Sequence, residues 1–208
     1  MENTGTPPAE PGNSPIFFII SGPSGVGKDL IISHLKKRSP SICYVVTFTT
    51  RSRRENEKDG IDYLFTTQED FLGMIKNDEL LEWSQVYGNY YGVPRKQIRQ
   101  ALANKQDIVL KVDVQGAKKI KENVPGAILF FISPPSPETQ AIRLNRRKTE
   151  TASDIETRLK VAREEIDYLS VFDYMGISYE GKVKQLLEEI EAVILAEKCR
   201  INKTPLNL

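Results

Sequence analysis

The sequence predicts an α/β protein in which helices flank an open parallel sheet. From residue 16 onward, apolar runs of strand length alternate with segments of helical periodicity, and this alternation is typical of βα units. A glycine-rich turn joins the first apolar run to the first helical segment. With 39% hydrophobic and 27% charged residues in 208 positions, the composition fits one globular domain and excludes collagen-like or largely disordered chains.

The core strands and the first helix follow in order along the chain. Residues 16–20 are uniformly apolar, as expected for a fully buried parallel strand, and lead through the turn into a helix over residues 28–38. The apolar stripe of this helix is predicted to be Leu30, Ile31 and Leu35. The other strands of a four-stranded central sheet are predicted at residues 42–49, 108–112 and 127–132.

The segment between the second and third core strands differs in sequence pattern from the core and is predicted to form a small inserted subdomain. Residues 62–66 and 80–87 have the composition of short strands. Between them, Thr67 and Asp70 resemble a capping box, which predicts the start of a helix.

The C-terminal third is predicted to be mainly helical. Helix starts are expected at Ser136–Pro137 and at residues 153–156, and the polar link at residues 146–152 has the composition of a mobile lid. Residues 171–177 predict an edge strand, and residues 182–198 an amphipathic helix. The apolar side of that helix would consist of Val183, Leu186, Leu187, Ile190 and Ile194.

Charge and cysteine content limit the classes of function. The chain has 29 Lys and Arg against 28 Asp and Glu, and a net charge of +1 argues against wholesale nucleic-acid binding. Cys43 and Cys199 have neither metal-ligand nor disulfide spacing, so a reducing compartment is expected. His34 lies beside lysines and is not expected to be catalytic. Without a signal-like or membrane-spanning segment, we expect a cytoplasmic protein with no membrane partner.

The glycine-rich turn fits the pattern G-x-x-x-x-G-K between a strand and a helix. Three glycines allow backbone N–H groups to surround a phosphate, the helix N-terminus adds partial positive charge, and Lys28 adds a full charge. A plain strand-to-helix turn would need only one or two glycines. The predicted phosphate cradle, a P-loop, consists of Gly22, Pro23, Ser24, Gly25, Val26, Gly27, Lys28 and Asp29.

Asp29 is unusual at the eighth position of this pattern, where Ser or Thr ordinarily binds Mg²⁺. A carboxylate is a good ligand for a hard cation and could hold the metal directly. It also brings negative charge beside a triphosphate, which repels unless a cation offsets it. Asp29 is therefore the candidate metal ligand, and both outcomes stay open.

P-loops serve ATPases, GTPases and small-molecule kinases alike, so other motifs must indicate the second substrate. Residues 47–54 place hydroxyls and guanidiniums where the carboxyl edge of a sheet presents ligands, and arginine forks suit phosphate oxygens. A solvated basic loop is the alternative. Further runs follow at residues 60–63 and 82–92, and in the second of them Gly88 and Gly92 flank an aromatic pair and predict a ligand-facing turn.

Together these motifs resemble the guanylate kinase family, which phosphorylates GMP with ATP. The resemblance runs from about residue 16 to residue 194. It rests on the P-loop, T-T-R-x-x-R at 49–54, D-G-x-D-Y at 59–63, E-W through G-N-Y-Y-G at 82–92, and D-V-Q-G at 113–116. It implies a P-loop NTPase-type fold with a nucleotide-binding insertion and a lid, ATP as phosphoryl donor and Mg²⁺ as cofactor.

The resemblance also implies roles for single residues. Glu82 would recognise the base, because one ionised carboxylate can accept from both N1–H and N2–H₂ of guanine, whereas adenine offers an acceptor at N1. A surface glutamate ahead of a packed Trp83 is the alternative. The GMP-binding set is predicted to be Thr47, Arg51, Arg54, Tyr63, Glu82, Tyr91 and Asp113, with Thr47 where the family usually has Ser.

Cations are expected to close over the transferred phosphoryl group, because this chemistry depends on positioning and charge neutralisation. The residues implied as catalytic are Lys28, Arg143, Arg147 and Arg158. For the helix arginines, salt bridges are the alternative explanation.

Four positions depart from the family pattern, namely Asp29, Lys111, Val93 and Ser178. Lys111 lies where the family usually has an acid, so we expect it to face Asp29 with exchanged charges, within ~6 Å. Val93 replaces a hydroxyl expected to help read guanine. This loss would weaken discrimination by roughly 1–2 kcal/mol and raise KM while the preference for GMP is kept. Ser178 replaces an Asn near the adenine.

The predicted activity is thus transfer of the γ-phosphoryl group of ATP to GMP, with small nucleotides as partners. The alternatives are a non-catalytic guanylate-kinase-like binding module and a related P-loop kinase with another acceptor. We expect tails at residues 1–15 and 199–208 around one domain at 16–198. Within it, the core would comprise 16–50, 106–135 and 171–198, the insertion 51–105 and the lid 136–170.

Overall fold

The computed structural model describes residues 14–86, 88–145 and 167–206. The strands are β1 (Phe17–Ser21), β2 (Cys43–Tyr44), β3 (Phe48–Thr49), β4 (Leu64–Phe65), β5 (Leu80–Val86), β6 (Asn89–Pro94), β7 (Ile108–Lys111), β8 (Ile128–Ser133) and β9 (Tyr174–Ile177). The helices are α1 (Lys28–Arg38), α2 (Gln68–Lys76), α3 (Arg95–Ala103), α4 (Val114–Asn123), α5 (Pro137–Asn145) and α6 (Val183–Cys199), with a 3₁₀ turn at Asp167–Val171.

The first sheet has five parallel strands in the order β2-β7-β1-β8-β9. All side chains of β1 are buried, and they alternate between two cores. Phe18 and Ile20 pack with α1 and α6 on one face, whereas Phe17 and Ile19 pack with α3 and α4 on the other. The predicted α/β fold with an open parallel sheet is confirmed, and its two covered faces explain why the strands are continuously apolar.

A second sheet, of four strands in the order β4-β3-β6-β5, is built from residues 48–94. Its β5 and β6 pair antiparallel and turn at Gly88, whose φ of 77° suits glycine. The helix start predicted at Thr67 is confirmed, since its side chain accepts a hydrogen bond from the Asp70 backbone N–H.

The single strand predicted over residues 42–49 is wrong, because the chain crosses there from one sheet to the other. Its first part is β2, at the edge of the parallel sheet, and its second part is β3. Between them, the Gln97 side chain accepts from the Val46 N–H and donates to the Val46 carbonyl, at 3.0 Å each. A side-chain amide thus supplies the hydrogen bonds that neither sheet provides.

Two further details differ from the sequence prediction. Leu30 of α1 is 49% exposed, so the buried stripe of that helix reduces to Ile31 and Leu35. Gly92 lies inside β6 rather than in a turn. A Cβ there would lie 2.8 Å from both Leu80 and Phe71, so the glycine allows close packing.

The C-terminal elements follow the prediction where they are described. α5 begins at Pro137, and β9 is an edge strand that starts three residues later than expected. Of the predicted apolar side of α6, four residues are buried and Val183 is partly buried. The helix start at 153–156 and the lid at 146–152 fall outside the described residues. Among the described helices, none has the length and apolarity to cross a membrane.

Candidate nucleotide-binding site

A pocket of about 210 Å³ lies at the carboxyl edge of the parallel sheet and extends to the second sheet. The strand β1 ends at this edge in the glycine-rich turn, and the neighbouring β7 ends in Lys111. The pocket brings together most of the residues predicted from the sequence: Gly22, Ser24, Gly25, Val26, Gly27, Lys28, Asp29, Thr47, Arg51, Arg54, Tyr63, Glu82, Tyr91 and Asp113.

The glycine-rich turn has the backbone that its sequence requires. Gly22, Gly25 and Gly27 have φ values of 142°, 88° and 92°, which side chains disfavour. A Cβ at Gly22 would lie 2.2 Å from the Ile132 carbonyl oxygen, so close contact with β8 also demands glycine. Gly27 is the N-cap of α1. The helix therefore directs its positive N-terminal end into the pocket.

Lys28 is folded back onto the same turn. Its Nζ donates to the Gly22 carbonyl and, at 3.1 Å, to the Pro23 carbonyl. The turn is also held from outside, because the Gln140 side chain donates to the Ser24 carbonyl at 2.9 Å. The ammonium of Lys28 therefore already lies at the phosphate cradle. A phosphate could replace the two carbonyls as its hydrogen-bond acceptor.

Asp29 and Lys111 form the expected pair of exchanged charges. Lys111 Nζ lies 2.5 Å from Asp29 Oδ1, well inside the predicted limit. The same Nζ donates to the Tyr63 hydroxyl at 3.2 Å and lies 4.4 Å from the centre of that ring. Burial alone would lower the pKa of Lys111, but Tyr63 and Asp29 outweigh it and raise that pKa, so the side chain is a permanent cation.

The basic segment after β3 is organised by a carboxylate that sequence reasoning missed. Glu57 accepts from Arg51 Nη2 with both oxygens, at 2.7 and 2.9 Å, and from the Arg54 N–H at 2.9 Å. Burial would raise the pKa of Glu57, but the hydrogen bond from Arg51 and the other contacts lower it. In the sequence, Glu57 is marked only by its position three residues after Arg54. Its role is visible only in the folded loop, where it contacts both arginines.

Aromatic rings form one wall beside the guanidinium. The Tyr63 and Tyr91 ring centres are 6.0 Å apart at an interplanar angle of 65°, and the Arg51 guanidinium lies 5.4 Å from the Tyr63 ring centre. Burial raises the pKa of Tyr63, so its hydroxyl remains a donor at neutral pH. Thr47, 6% exposed, lines the pocket where the chain passes between the sheets.

Glu82 is a buried carboxylate that faces the pocket from β5. Within the described part of the chain, its Oε1 has no hydrogen-bond partner, and Lys119 Nζ stays 3.7 Å away. Burial and the nearby Asp113 raise the pKa of Glu82 to about 8, against the lowering effect of Lys119. A buried acceptor without a donor is costly in a folded protein, and here it marks a place for one.

Asp113 is held by the fold more firmly than expected for a ligand-binding residue. It is the N-cap of α4, where Oδ1 accepts from the Gly116 N–H at 2.9 Å. Its Oδ2 accepts from the Ser84 hydroxyl at 2.9 Å. Ser84, a buried residue two positions after Glu82, was not identified from the sequence, although the alternation of a strand places both on one face.

Of the three predicted catalytic arginines, Arg143 lies within the described residues. Arg143 donates to the Ser178 side chain and carbonyl, at 3.2 and 2.7 Å, and does not line the pocket. Arg143 thus contacts Ser178, one of the four positions that depart from the family pattern. Arg147 and Arg158 lie outside the described residues. Among the described residues, no group of three or more His, Cys, Asp or Glu could hold a metal alone.

Three of the known proteins similar to this chain are guanylate kinases. Residues 15–197 match the guanylate kinase family. The chloroplastic/mitochondrial guanylate kinase 2 of Oryza sativa subsp. japonica is 43% identical over 202 residues, which cover 97% of this chain and 71% of that protein. A guanylate kinase of Desulfitobacterium hafniense is 36% identical, with 93% and 96% coverage. The crystal structure of guanylate kinase from Anaplasma phagocytophilum aligns with a TM-score of 0.72 at 31% identity, covering 90% and 88%.

Proposed function

The chain belongs to the guanylate kinase family, and from this premise we propose how its pocket transfers the γ-phosphoryl group of ATP to GMP. The reaction yields ADP and GDP. An oxygen of the GMP phosphate forms a bond to the γ-phosphorus while the bond from phosphorus to the β–γ bridging oxygen breaks. No protein nucleophile is needed, so the residues bind, orient and neutralise charge.

One observation supports this function above the others. A phosphate cradle opens into the same pocket as a buried carboxylate whose Oε1 accepts no hydrogen bond from the described residues. The cradle suits a polyphosphate, and the carboxylate suits a base with two adjacent donors. Their common pocket allows the two nucleotides to meet with their phosphates together.

On the donor side, residues 22–29 would surround the phosphates of ATP. The N-terminus of α1 attracts negative charge, and Lys28 would exchange its two carbonyl partners for phosphate oxygens. The exchange preserves its hydrogen bonds and adds a charge interaction, which is the stronger kind. Arg143, Arg147 and Arg158 are proposed to approach the same phosphates, as the resemblance implies.

Mg²⁺ is proposed as the cofactor. Because Mg²⁺ keeps several waters and takes phosphate oxygens as ligands, one or two carboxylates from the protein suffice. Asp29, which stands at the metal-binding position of the P-loop, fits this need. When bound, the ion would neutralise the negative charge that develops between the β- and γ-phosphates.

On the acceptor side, Arg51, Arg54, Tyr63 and Tyr91 would bind the GMP phosphate, with Thr47 beside them. Arg51 is oriented by Glu57 and by the Tyr63 ring before any ligand arrives. A preorganised guanidinium loses less side-chain entropy on binding.

Guanine would be read by Glu82. Its Oε1 accepts no hydrogen bond from the described residues, with Lys119 Nζ 3.7 Å away, and the N1–H and N2–H₂ groups of guanine would supply donors. AMP would leave this carboxylate unsatisfied and is therefore rejected. Asp113 is proposed to contact GMP while it continues to cap α4.

A coupled assay of ADP release with GMP, AMP, dGMP, CMP and UMP, with and without Mg²⁺, tests this function. We expect turnover to require Mg²⁺ and to favour GMP strongly over AMP. No turnover with any acceptor would support a binding module instead, and equal turnover of AMP and GMP would exclude Glu82 as the reader of the base.

A pair of matched variants sharpens the assay. Glu82→Gln should lower kcat/KM for GMP by about tenfold or more, because a charged acceptor is lost. Glu79→Gln makes the same change at an exposed position outside the pocket and should leave kcat/KM unchanged.

A cytoplasmic location, as expected from the sequence, stays a prediction.

A further inference from the structure

Lys111 is a pocket-lining cation to which none of the roles above assigns a task. It ends β7 at the edge of the sheet where the two nucleotides are proposed to meet. Its side chain is only 16% exposed. The resemblance to the family implies an acid here, so the positive charge departs from the family pattern.

The other cations near the acceptor phosphate are already engaged. Arg51 is held by both oxygens of Glu57, and Arg54 Nη1 lies 4.0 Å from the same carboxylate. Two guanidiniums thus share one negative charge, and about one positive charge remains to face a phosphate monoester that carries nearly two near neutral pH. Lys111 adds a positive charge at this place, and Asp29 Oδ1, 2.5 Å from its Nζ, offsets part of that charge.

The contacts of Lys111 direct it toward the same anion as Tyr63. An ammonium has three N–H donors, and two of them are used by Asp29 Oδ1 and the Tyr63 hydroxyl. Because Tyr63 accepts from Lys111, its own O–H points elsewhere and is polarised by the charge. A phosphate oxygen that accepts from Tyr63 would therefore lie close to the third donor of Lys111.

We propose that Lys111 is a phosphate-binding residue of the acceptor subsite, aimed by Asp29 and acting beside Tyr63. This inference rests on the proposed binding of GMP in this pocket. Asp29 is then a positioning residue for the ammonium as well as the candidate metal ligand. The exchanged charges at positions 29 and 111 place a fixed cation at the acceptor phosphate, in a chain whose P-loop lacks the usual hydroxyl.

The test compares GMP with guanosine, which has the same base and sugar but no phosphate. Binding is measured by calorimetry or competition in EDTA, so that no metal contributes. In Lys111→Met, we expect GMP to bind about tenfold to a hundredfold more weakly, the value of one charge-assisted hydrogen bond. The affinity for guanosine should stay within about twofold of the wild type, as expected when only the phosphate contact is lost.

Two control proteins separate this result from general damage. Lys184→Met makes the same change at a side chain that is 84% exposed on α6, and should leave both affinities unchanged. If Lys111→Met does not fold, Lys111→Gln retains a hydrogen-bond donor toward Asp29 and Tyr63 without the charge, and the same selective loss is expected.

The outcomes are distinct. Unchanged GMP binding by a folded Lys111 variant would overturn the proposal, and so would equal losses for GMP and guanosine, which indicate a structural role. If the wild-type protein binds GMP no better than AMP, the proposed function itself fails. This outcome is independent of the Lys111 variants and can therefore be distinguished from failure of the Lys111 proposal.

Discussion

The carboxyl group of Glu82 is costly to bury in the folded protein, and we propose that it recognises the base. Its ionised form is disfavoured by burial and by Asp113, which together raise its pKa to about 8. A protonated carboxyl would present a donor to the N1–H of guanine, where an acceptor is required. If Glu82 reads the base as proposed, the ionisation of this one side chain should control the affinity for guanine.

This gives a prediction for the pH dependence. Well below pH 8, log kcat/KM for GMP should rise by one unit per pH unit. The profile should bend near pH 8, where the two forms of Glu82 are equally populated, and level off at higher pH as the ionised form becomes fully populated. Lys119 lowers the pKa of Glu82, so Lys119→Gln should move the bend to higher pH. Initial rates at low GMP between pH 6 and 9 provide the measurement.

The neighbouring lysine provides the control for that experiment. Lys118 pairs with Glu122 at 4.0 Å and lies 5.4 Å from the Tyr168 ring centre, and it is not among the groups that shift the pKa of Glu82. Lys118→Gln should therefore keep the bend of the wild type. A bend at the same pH in Lys119→Gln would contradict the electrostatic role of Lys119, and a flat profile would contradict the role of Glu82 itself.

Val93 gives a second prediction at the scale of one side chain. It lines the pocket from β6 and is 1% exposed, so it presents methyl groups where the family has a hydroxyl. Val93→Thr has nearly the same shape and adds a donor toward the base. We expect KM for GMP to fall by about fivefold, and stability to fall by about 1 kcal/mol, because the hydroxyl also contacts the apolar core. Steady-state kinetics and urea unfolding measure the two changes, and an unchanged KM would contradict a direct contact.

Residues with distinctive chemistry in distinctive motifs could be predicted, whereas their supporting partners could not. Lys28, Arg51 and Glu82 each stand in a recognisable pattern, and all three line the pocket. Glu57 and Lys119 were missed because they are common charged residues outside any motif. Their roles depend on neighbours that only folding brings near. The Asp29–Lys111 contact spans 82 positions, and it was predictable because both residues depart from the family pattern with opposite charges.

At the scale of elements, local periodicity predicted what lies within one layer and failed where the chain changes layers. The strand β1 and the helix α1 each lie within one layer of the fold. Their limits agree with the sequence pattern to within one residue. Residues 42–49 have equally β-branched composition, yet they divide between two sheets. At the point of division, Val46 is hydrogen-bonded by Gln97, about fifty positions away, and no local pattern could reveal this contact.

The glycines of the P-loop give a prediction about how this element is held. Gly22→Ala should cost about 3 kcal/mol or more, since a Cβ would press on the Ile132 carbonyl in addition to the strained φ. Gly27→Ala should cost only about 1–2 kcal/mol, because a Cβ there meets no atom within 4 Å and backbone strain alone remains. Chemical unfolding of both variants measures the difference.

A third glycine serves as the control for these measurements. Gly73 lies inside α2, and a Cβ there would also meet no atom within 4 Å. Without a positive φ, Gly73→Ala should stabilise the protein by about 0.5–1 kcal/mol through helix propensity. Equal losses at Gly22 and Gly27 would show that contact with β8 is relieved by movement of the loop.

At the scale of the whole molecule, the pocket is built from residues of two sheets, which share one of the two buried clusters. The cradle and Lys111 belong to the parallel sheet, whereas Arg51 and Glu82 belong to the segment of the second sheet. A nucleotide that contacts both is bound only when both are folded. Binding of GMP should therefore stabilise the molecule as a unit, although most of its contacts lie on one side.

The magnitude of this linkage can be calculated and measured. A ligand present at a hundred times its Kd stabilises the folded state by about 2.7 kcal/mol, which for a chain of this size raises Tm by about 5–10 °C. We expect GMP to produce this shift in calorimetry or thermal-shift assays at pH 8, where Glu82 is substantially ionised. AMP at the same concentration should shift Tm much less, because it leaves the carboxylate without donors, and in Glu82→Gln the difference between the two nucleotides should shrink. Equal shifts for AMP and GMP in the wild type would mean that the phosphate alone determines binding, and the buried carboxylate would then need another explanation.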